Sequence, residues 1–153
     1  MNKVYIIAEA GVNHNGSLKN ALKLVESAKQ MGADAVKFQV FRASSLVTSY
    51  AKKAEYQKKD SKFNETQLEM LSKLELSKDE LHKLQIFSKK KKIDFLCSAF
   101  DNESLSLISD SINISKLKIA SGEITNGPFL LAHALTGKDI ILSTGMSTTK
   151  EII

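Results

Sequence analysis

The sequence predicts an α/β fold built from the first five β/α units of a parallel (β/α)8 barrel. Five short apolar segments each end in small or polar residues, and a helix-like pattern follows each of them. The last three predicted strands begin at positions 93, 116 and 139, a constant spacing of 23 residues. Such a repeat is typical of parallel strands joined by helices. The alternative, a doubly wound sheet, usually carries a Gly-x-Gly-x-x-Gly turn, which this sequence lacks.

The first two units show the pattern most clearly. A strand is predicted over residues 4–8 and ends at Glu9. Turn formers at 11–16 then lead to Ser17, which can cap a helix that reaches about Met31. One apolar stripe at helical spacing comprises Leu18, Ala21, Leu22, Val25, Ala28 and Met31. The second strand is predicted over 35–40, and the connection after it, 41–64, has no clear periodicity, which is typical of functional loops.

The later units are marked mainly by their caps. Helices are predicted over 65–74 and 78–90, and strands over 93–98, 116–120 and 139–143. The predicted capping residues are Ser77 with Glu80, Asp101, Asn126 before Pro128, and Thr148 with Glu151. The buried side of the second helix should comprise Leu81, Leu84, Ile86 and Phe87. Because a barrel needs eight strands, we expect residues 1–153 to be the N-terminal part of a larger catalytic domain, with unpaired edges at the first and fifth strands.

Composition narrows the class of protein. Hydrophobic residues make up 42% of the chain, enough for a core, and the net charge is +5. The basic excess is local, because residues 41–92 hold 13 Lys/Arg and 7 Asp/Glu. A local positive field favours a small anionic substrate. The Lys89–Lys92 run has no interleaved aromatic residues, and no nucleic-acid partner is expected. The single cysteine and an N-terminus that is neither a signal peptide nor a membrane span predict a cytoplasmic protein with no membrane partner.

Lysines and carboxylates at strand positions are the candidates for chemistry. Lys37 and Lys118 could be surface lysines, an anion clamp or a Schiff-base amine. We favour the clamp, because Ser121 and Ser143 add hydroxyl donors suited to a phosphate or carboxylate. Glu9 and Glu123 could pair with these lysines or act as general acid or base.

Three further residues have a weaker signal. His14 lies among turn formers and is expected to be exposed, although its neighbours Asn13 and Asn15 favour a hydrogen-bonding role. Cys97 lies in the third strand, where a buried structural thiol is the usual state. His, Cys and carboxylate residues show no spacing typical of a metal site.

Several segments, taken together and in order, resemble the sialic acid synthase family. They are residues 6–16, 35–39, 54–57, 118–123 and 141–146. Residues 55–57 and 67–70 are more similar to the N-acetylneuraminate and legionaminate branch than to the pseudaminate branch.

The resemblance implies a (β/α)8 barrel that condenses phosphoenolpyruvate with an N-acetylated hexose and releases phosphate. It implies that Lys37, Lys118, Ser121 and Ser143 hold phosphoenolpyruvate, that Glu123 contacts the sugar, and that Glu9 lies near the reacting carbons and the metal. Tyr56, Gln57, Asn13 and His14 are further candidates for substrate contact. The family implies a homodimer and a divalent cation, Mn or Mg, whose histidine ligands are expected beyond Ile153, so we expect this stretch alone to be inactive and not to bind the metal.

Two other functions remain open on the sequence. One is a class I aldolase that uses Lys118 as its Schiff-base amine. The other is a non-catalytic module that binds a partner or nucleic acid through the basic residues of 41–92, including Lys52, Lys53, Lys58 and Lys59.

Overall fold

One parallel sheet organises the computed structural model, which describes residues 4–51 and 65–153. Within those residues the strands are β1 (Ile7–Gly11), β2 (Ala35–Val40), β3 (Asp94–Ala99), β4 (Lys116–Ile119) and β5 (Asp139–Leu142). They lie side by side in chain order, and each neighbouring pair is parallel. A doubly wound sheet reverses its strand order partway, whereas this sheet progresses in one direction, as a barrel does. The predicted α/β barrel arrangement is therefore confirmed, and the doubly wound alternative is wrong.

Helices follow the strands as the sequence predicts. In the described residues they are α1 (Leu18–Gln30), α2 (Ala43–Leu46), α3 (Gln67–Ser72), α4 (Lys78–Lys91), α5 (Asn102–Ser106), α6 (Gly127–Leu135) and α7 (Thr149–Ile152). The cap predictions are confirmed at Ser17, Ser77, Asp101, Asn126 and Thr148. A further capping box joins Thr66 and Glu69 at the start of α3. Local side-chain chemistry thus fixes where most of these helices begin.

The two faces of the sheet have different characters. Alternate residues of β2 and β3, such as Val36, Phe38 and Cys97, are buried in one apolar core with α1 and α4. The intervening residues point to the opposite face, which is the interior side of a barrel. That face carries Lys37 and Ser98, both buried although polar. Polar side chains on the interior face need a functional or structural reason.

The first strand differs from the prediction. It begins at Ile7 rather than at Val4, and Val4, Tyr5 and Ile6 are exposed. The chain is held before β1 by Asp34, whose carboxylate accepts from the Ile6 N–H at 2.9 Å. Glu9 therefore lies inside the strand, paired with Lys37, rather than at its end. Alternation alone could not locate this boundary, because the three preceding residues are equally apolar.

Two residues predicted to lie on buried helix faces, Ile86 and Met31, are exposed. Ile86 is 66% exposed, whereas Ser88, on the opposite side of α4, is fully buried with Leu81 and Leu84. Met31 is 87% exposed because it lies at the C-cap of α1, beyond the packed stripe. The short α2 was not predicted, since its four residues show no periodicity.

The ends of the sheet remain uncovered within the described residues. There β1 pairs with β2 alone and β5 with β4 alone, as the sequence predicts. On β5, Ile140 and Leu142 are 39% and 42% exposed, although their partners on β4 are buried. In the described ranges no helix is both long and apolar enough to cross a bilayer.

Candidate functional site

An ion pair between a buried lysine and a half-exposed glutamate joins the first two strands on the interior face. Glu9 and Lys37 are register partners, and the Lys37 ammonium lies 2.5 Å from the Glu9 carboxylate. Lys37 is only 8% exposed, whereas the Glu9 side chain is half exposed. Lys37 Nζ also donates to Ser98 Oγ at 3.5 Å. The lysine is therefore held between Glu9 and Ser98, and the Glu9 side chain remains half exposed.

Lys118 completes a positive cluster beside this pair. It lies on β4, and its Nζ donates to the carbonyl oxygen of Ile119 at 2.9 Å. Burial lowers the pKa of Lys118, the nearby ammonium of Lys37 lowers it further, and Glu9 raises it. Two ammonium groups and one carboxylate thus interact in one place. Their net charge of about +1 makes the interior face suited to a small anion.

Two additional residues join this cluster that sequence reasoning did not select. The register of β3 places Ser98 beside Lys37. Ser98 pairs with Gln39, and it lies two residues after Leu96, the register partner of Lys37. A Cβ added at Gly11 would lie 3.3 Å from Glu9 Oε1 and 3.7 Å from Gln39 Nε2, so both side chains approach this backbone closely. The pattern of an apolar strand with a polar tip could have identified both residues, since Ser98 ends the predicted third strand and Gln39 lies two residues after Lys37.

The remaining predicted residues of β4 and β5 lie at the same edge of the sheet. Ser121 and Glu123 form a single 3₁₀ turn directly after β4. The Ser143 N–H donates to the Ile119 carbonyl at 3.1 Å, which extends the pairing of β5 beside β4. Glu123 accepts from Asn126 Nδ2 at 2.8 Å, at the start of α6. The sheet thus places these three residues near the carboxyl end of Lys118's strand, and their roles stay predictions.

The turn after β1 separates two other predicted residues from this cluster. Asn13 is exposed, and its N–H donates to the Ala10 carbonyl at 3.0 Å. His14 is fully buried on the helix side of the sheet, with its ring centroid 6.0 Å from that of Phe38. The prediction that His14 is exposed is therefore wrong, and the reason is that its turn folds back onto β2. Its predicted contact with substrate has no support from this placement.

Tyr56 and Gln57, together with Lys52, Lys53, Lys58 and Lys59, lie outside the described residues. Cys97 is buried in the core, where desolvation raises the pKa of its thiol, as befits a structural cysteine.

A metal site is not assembled by the part of the chain that the structure describes. No group of three His, Cys, Asp or Glu side chains there could hold an ion. Glu9 is the carboxylate nearest the lysines, and it is engaged by Lys37. These residues alone therefore do not fit a complete divalent-cation site.

The fold and the cluster define a β/α-barrel protein whose interior face carries two lysines beside one carboxylate. Its sequence matches the profile of the NeuB family over residues 24–153, and the chain belongs to that family. It is 49% identical over 152 residues to the N,N'-diacetyllegionaminic acid synthase of Campylobacter jejuni, covering 99% of this chain and 45% of that protein. It is 47% identical to the enzyme of the same name from Legionella pneumophila, covering 97% and 41%.

Solved structures give the same result for the fold. The N-acetylneuraminic acid synthetase of Leptospira borgpetersenii superposes with a TM-score of 0.80 at 34% identity, over 99% of this chain and 48% of that one. The chain thus spans less than half the length of each of these three relatives.

Proposed function

We propose that this chain is the N-terminal part of a nonulosonic acid synthase. The enzyme condenses phosphoenolpyruvate with an N-acetylated hexose, N-acetylmannosamine or a diacetamido-hexose, to give a nine-carbon 2-keto acid and phosphate. The observation that carries the proposal is the meeting of Lys37, Lys118 and Glu9 on the interior face of the sheet. The two legionaminic acid synthases support the product class, because they match nearly the whole chain.

The two lysines suit the recognition of phosphoenolpyruvate. Its phosphate and carboxylate carry several negative charges, which ammonium groups bind through charge-assisted hydrogen bonds. Lys37 is held in place by Glu9 and Ser98 before any ligand arrives. Lys118 is disfavoured as a cation in the free protein, because burial and Lys37 both lower its pKa. An anion placed between the two lysines relieves that repulsion, so binding and protonation of Lys118 support each other.

The carboxylate beside the lysines suits the proton transfers of the reaction. In the proposed condensation, C3 of phosphoenolpyruvate attacks the sugar aldehyde, and the aldehyde oxygen takes up a proton. Water then adds at C2, losing a proton, and the C–O bond to phosphate breaks. Glu9 is half exposed and only one of its oxygens contacts Lys37, so it can orient or deprotonate that water. Ser98, Ser121 and Ser143 add hydroxyl donors near the same edge, and the amide of Gln39 and the carboxylate of Glu9 both lie close to Gly11.

The family's divalent cation and homodimer are parts of the proposal that concern the longer enzyme. The described residues do not supply a full ligand set, so no step is assigned to a metal here. Residues beyond this chain must complete the site if the proposal is correct. A cytoplasmic location belongs to the same proposal and is supported by the single cysteine, which cannot form an internal disulfide.

The test is phosphate release with phosphoenolpyruvate, N-acetylmannosamine and Mn²⁺. We expect turnover by a longer protein that contains this chain and the rest of the barrel, and none by residues 1–153 alone. Turnover by the 153-residue chain would contradict the predicted inactivity. If the longer protein consumes neither N-acetylmannosamine nor a diacetamido-hexose, the proposed function is wrong.

A Schiff-base aldolase is the second candidate, and one observation favours it. A lysine of lowered pKa next to a second ammonium is the environment that activates an amine as a nucleophile, and Lys118 has it. Borohydride reduction in the presence of pyruvate distinguishes the two functions. A covalent adduct on Lys118 supports the aldolase, whereas its absence together with phosphate release supports the synthase.

A further inference from the structure

The β1–α1 turn, residues 11–16, begins immediately after the proposed catalytic carboxylate. The register between β1 and β2 shifts between Glu9 and Gly11, so β1 carries one extra residue there. Bulges of this kind re-aim the neighbouring side chains. The direction of Glu9 toward Lys37 therefore depends on how the following turn is held.

The turn is tightly constrained by its own backbone. Gly11, Asn15 and Gly16 all have positive φ angles, of 53°, 51° and 71°. A Cβ added at Gly16 would collide with the carbonyl oxygen of Lys73, at the end of α3. The turn thus packs directly against the α3–α4 connection and has little room to shift.

His14 is the side chain of the turn that is fully buried. Its Nδ1 accepts from the Gly16 N–H at 3.0 Å, so the proton of the neutral ring lies on Nε2. That Nε2 is buried and has no hydrogen-bond partner among the described residues. The ring packs on Phe38, which lies in β2 between Lys37 and Gln39. A buried N–H without a partner destabilises the fold. The favourable contact that the ring makes in the turn is therefore the one at Nδ1.

We propose that His14 is a positioning residue: it locks the turn after the β1 bulge against β2 and thereby aims Glu9 at Lys37. The Nδ1 acceptor closes the end of the turn, and the ring ties the turn to the strand that carries the lysine. Its action is indirect, because the ring lies on the opposite face of the sheet from Glu9. This inference rests on the proposed synthase function for its effect on catalysis, but its structural part can be measured separately.

The experiment compares four variants of the longer protein that contains this chain. His14→Asn keeps an acceptor near the position of Nδ1, whereas His14→Gln and His14→Leu do not. His133→Leu is the matched control, because His133 is also fully buried with an Nε2 that lacks a partner among the described residues. His133 lies on α6, where its ring is edge-on to Phe129 and its Nδ1 lies 2.9 Å from the Phe129 carbonyl oxygen. The readouts are kcat and KM for phosphoenolpyruvate, and hydrogen–deuterium exchange of the amides of residues 11–17.

Loss of the acceptor should lower kcat about tenfold, since small misplacements of a catalytic group have effects of this order or larger. We expect this drop for His14→Gln and His14→Leu, with KM for phosphoenolpyruvate changed less than threefold and faster exchange at 11–17. His14→Asn should stay within threefold of the unsubstituted protein, as should His133→Leu. The inference is overturned if His14→Asn loses as much kcat as His14→Gln, or if exchange at 11–17 is the same in all variants. If the unsubstituted protein releases no phosphate, the proposed function fails, and the exchange measurement still decides the role of His14.

Discussion

Replacing Lys118 by methionine removes one ammonium from the interior face and keeps most of the side-chain volume. A hydrogen bond to a charged group contributes about 1.5–3 kcal/mol, so phosphoenolpyruvate should bind roughly 10- to 150-fold more weakly. Folding should not suffer equally, because burial and Lys37 already oppose the charge on Lys118. We therefore expect the midpoint of thermal unfolding to be unchanged or raised while affinity falls.

The control for this variant is Lys116→Met on the same strand and the same face. Lys116 lies two residues earlier, toward the amino end of β4, and its ammonium is 3.6 Å from the Asp139 carboxylate. Two strand residues separate the two side chains by roughly 6.6 Å along the strand. Calorimetric titration of the longer protein with phosphoenolpyruvate measures both variants. A change of less than threefold for Lys118→Met, or an equal loss for Lys116→Met, would refute an anion clamp at Lys118.

Three further predictions follow from single contacts. Affinity for phosphoenolpyruvate should fall as pH rises toward 10.5, because the lowered pKa of Lys118 means that its charge is lost below that pH. Lys118→Arg should weaken this pH dependence, since the guanidinium stays charged. Burial lowers the pKa of His14 in the folded protein, and Glu80 offsets this only partly. As pH falls, His14 is therefore protonated in the unfolded chain before it is protonated in the folded one. The stability that neutral His14 contributes is present above pH 6.5. Below that pH the free energy of unfolding should fall by at most about 1.4 kcal/mol per pH unit. Urea unfolding at several pH values should show this slope for the protein and a smaller one for His14→Leu. Ser77→Ala should destabilise the protein by about 1 kcal/mol in chemical unfolding, because it removes the hydroxyl that accepts from the Glu80 N–H, while the Ser77 N–H can still donate to the Glu80 carboxylate.

These three predictions would be contradicted by separate results. The first is contradicted by a phosphoenolpyruvate affinity that does not change with pH up to 10.5. The second is contradicted if the free energy of unfolding changes equally with pH between 5 and 7 in the protein and in His14→Leu. The third is contradicted by a Ser77→Ala variant as stable as the parent. Thr66→Ala at the start of the shorter α3 provides a comparison for the cap, because it removes the hydroxyl acceptor of the same type of capping box.

The sequence alone determined the fold class and most of the helix starts. Caps such as Ser17 and Asp101 act over three or four residues, and the β/α spacing repeats along the chain, so both can be read locally. The motifs around Lys37 and Lys118 likewise predicted two cationic residues for an anionic substrate. These signals depend on neighbouring residues, which the sequence displays directly.

The tertiary structure decided which side chains meet and which do not. Strand register brought Ser98 and Gln39 to the cluster, and it placed Glu9 within its strand, opposite Lys37. It also buried His14 behind the sheet, although its neighbours in sequence are turn formers. Register and burial depend on pairing between segments far apart in the chain, so a single residue of offset, such as the bulge after Glu9, changes the face that a side chain occupies. No local pattern contains that information, which is why the chemistry of the site became visible only in three dimensions.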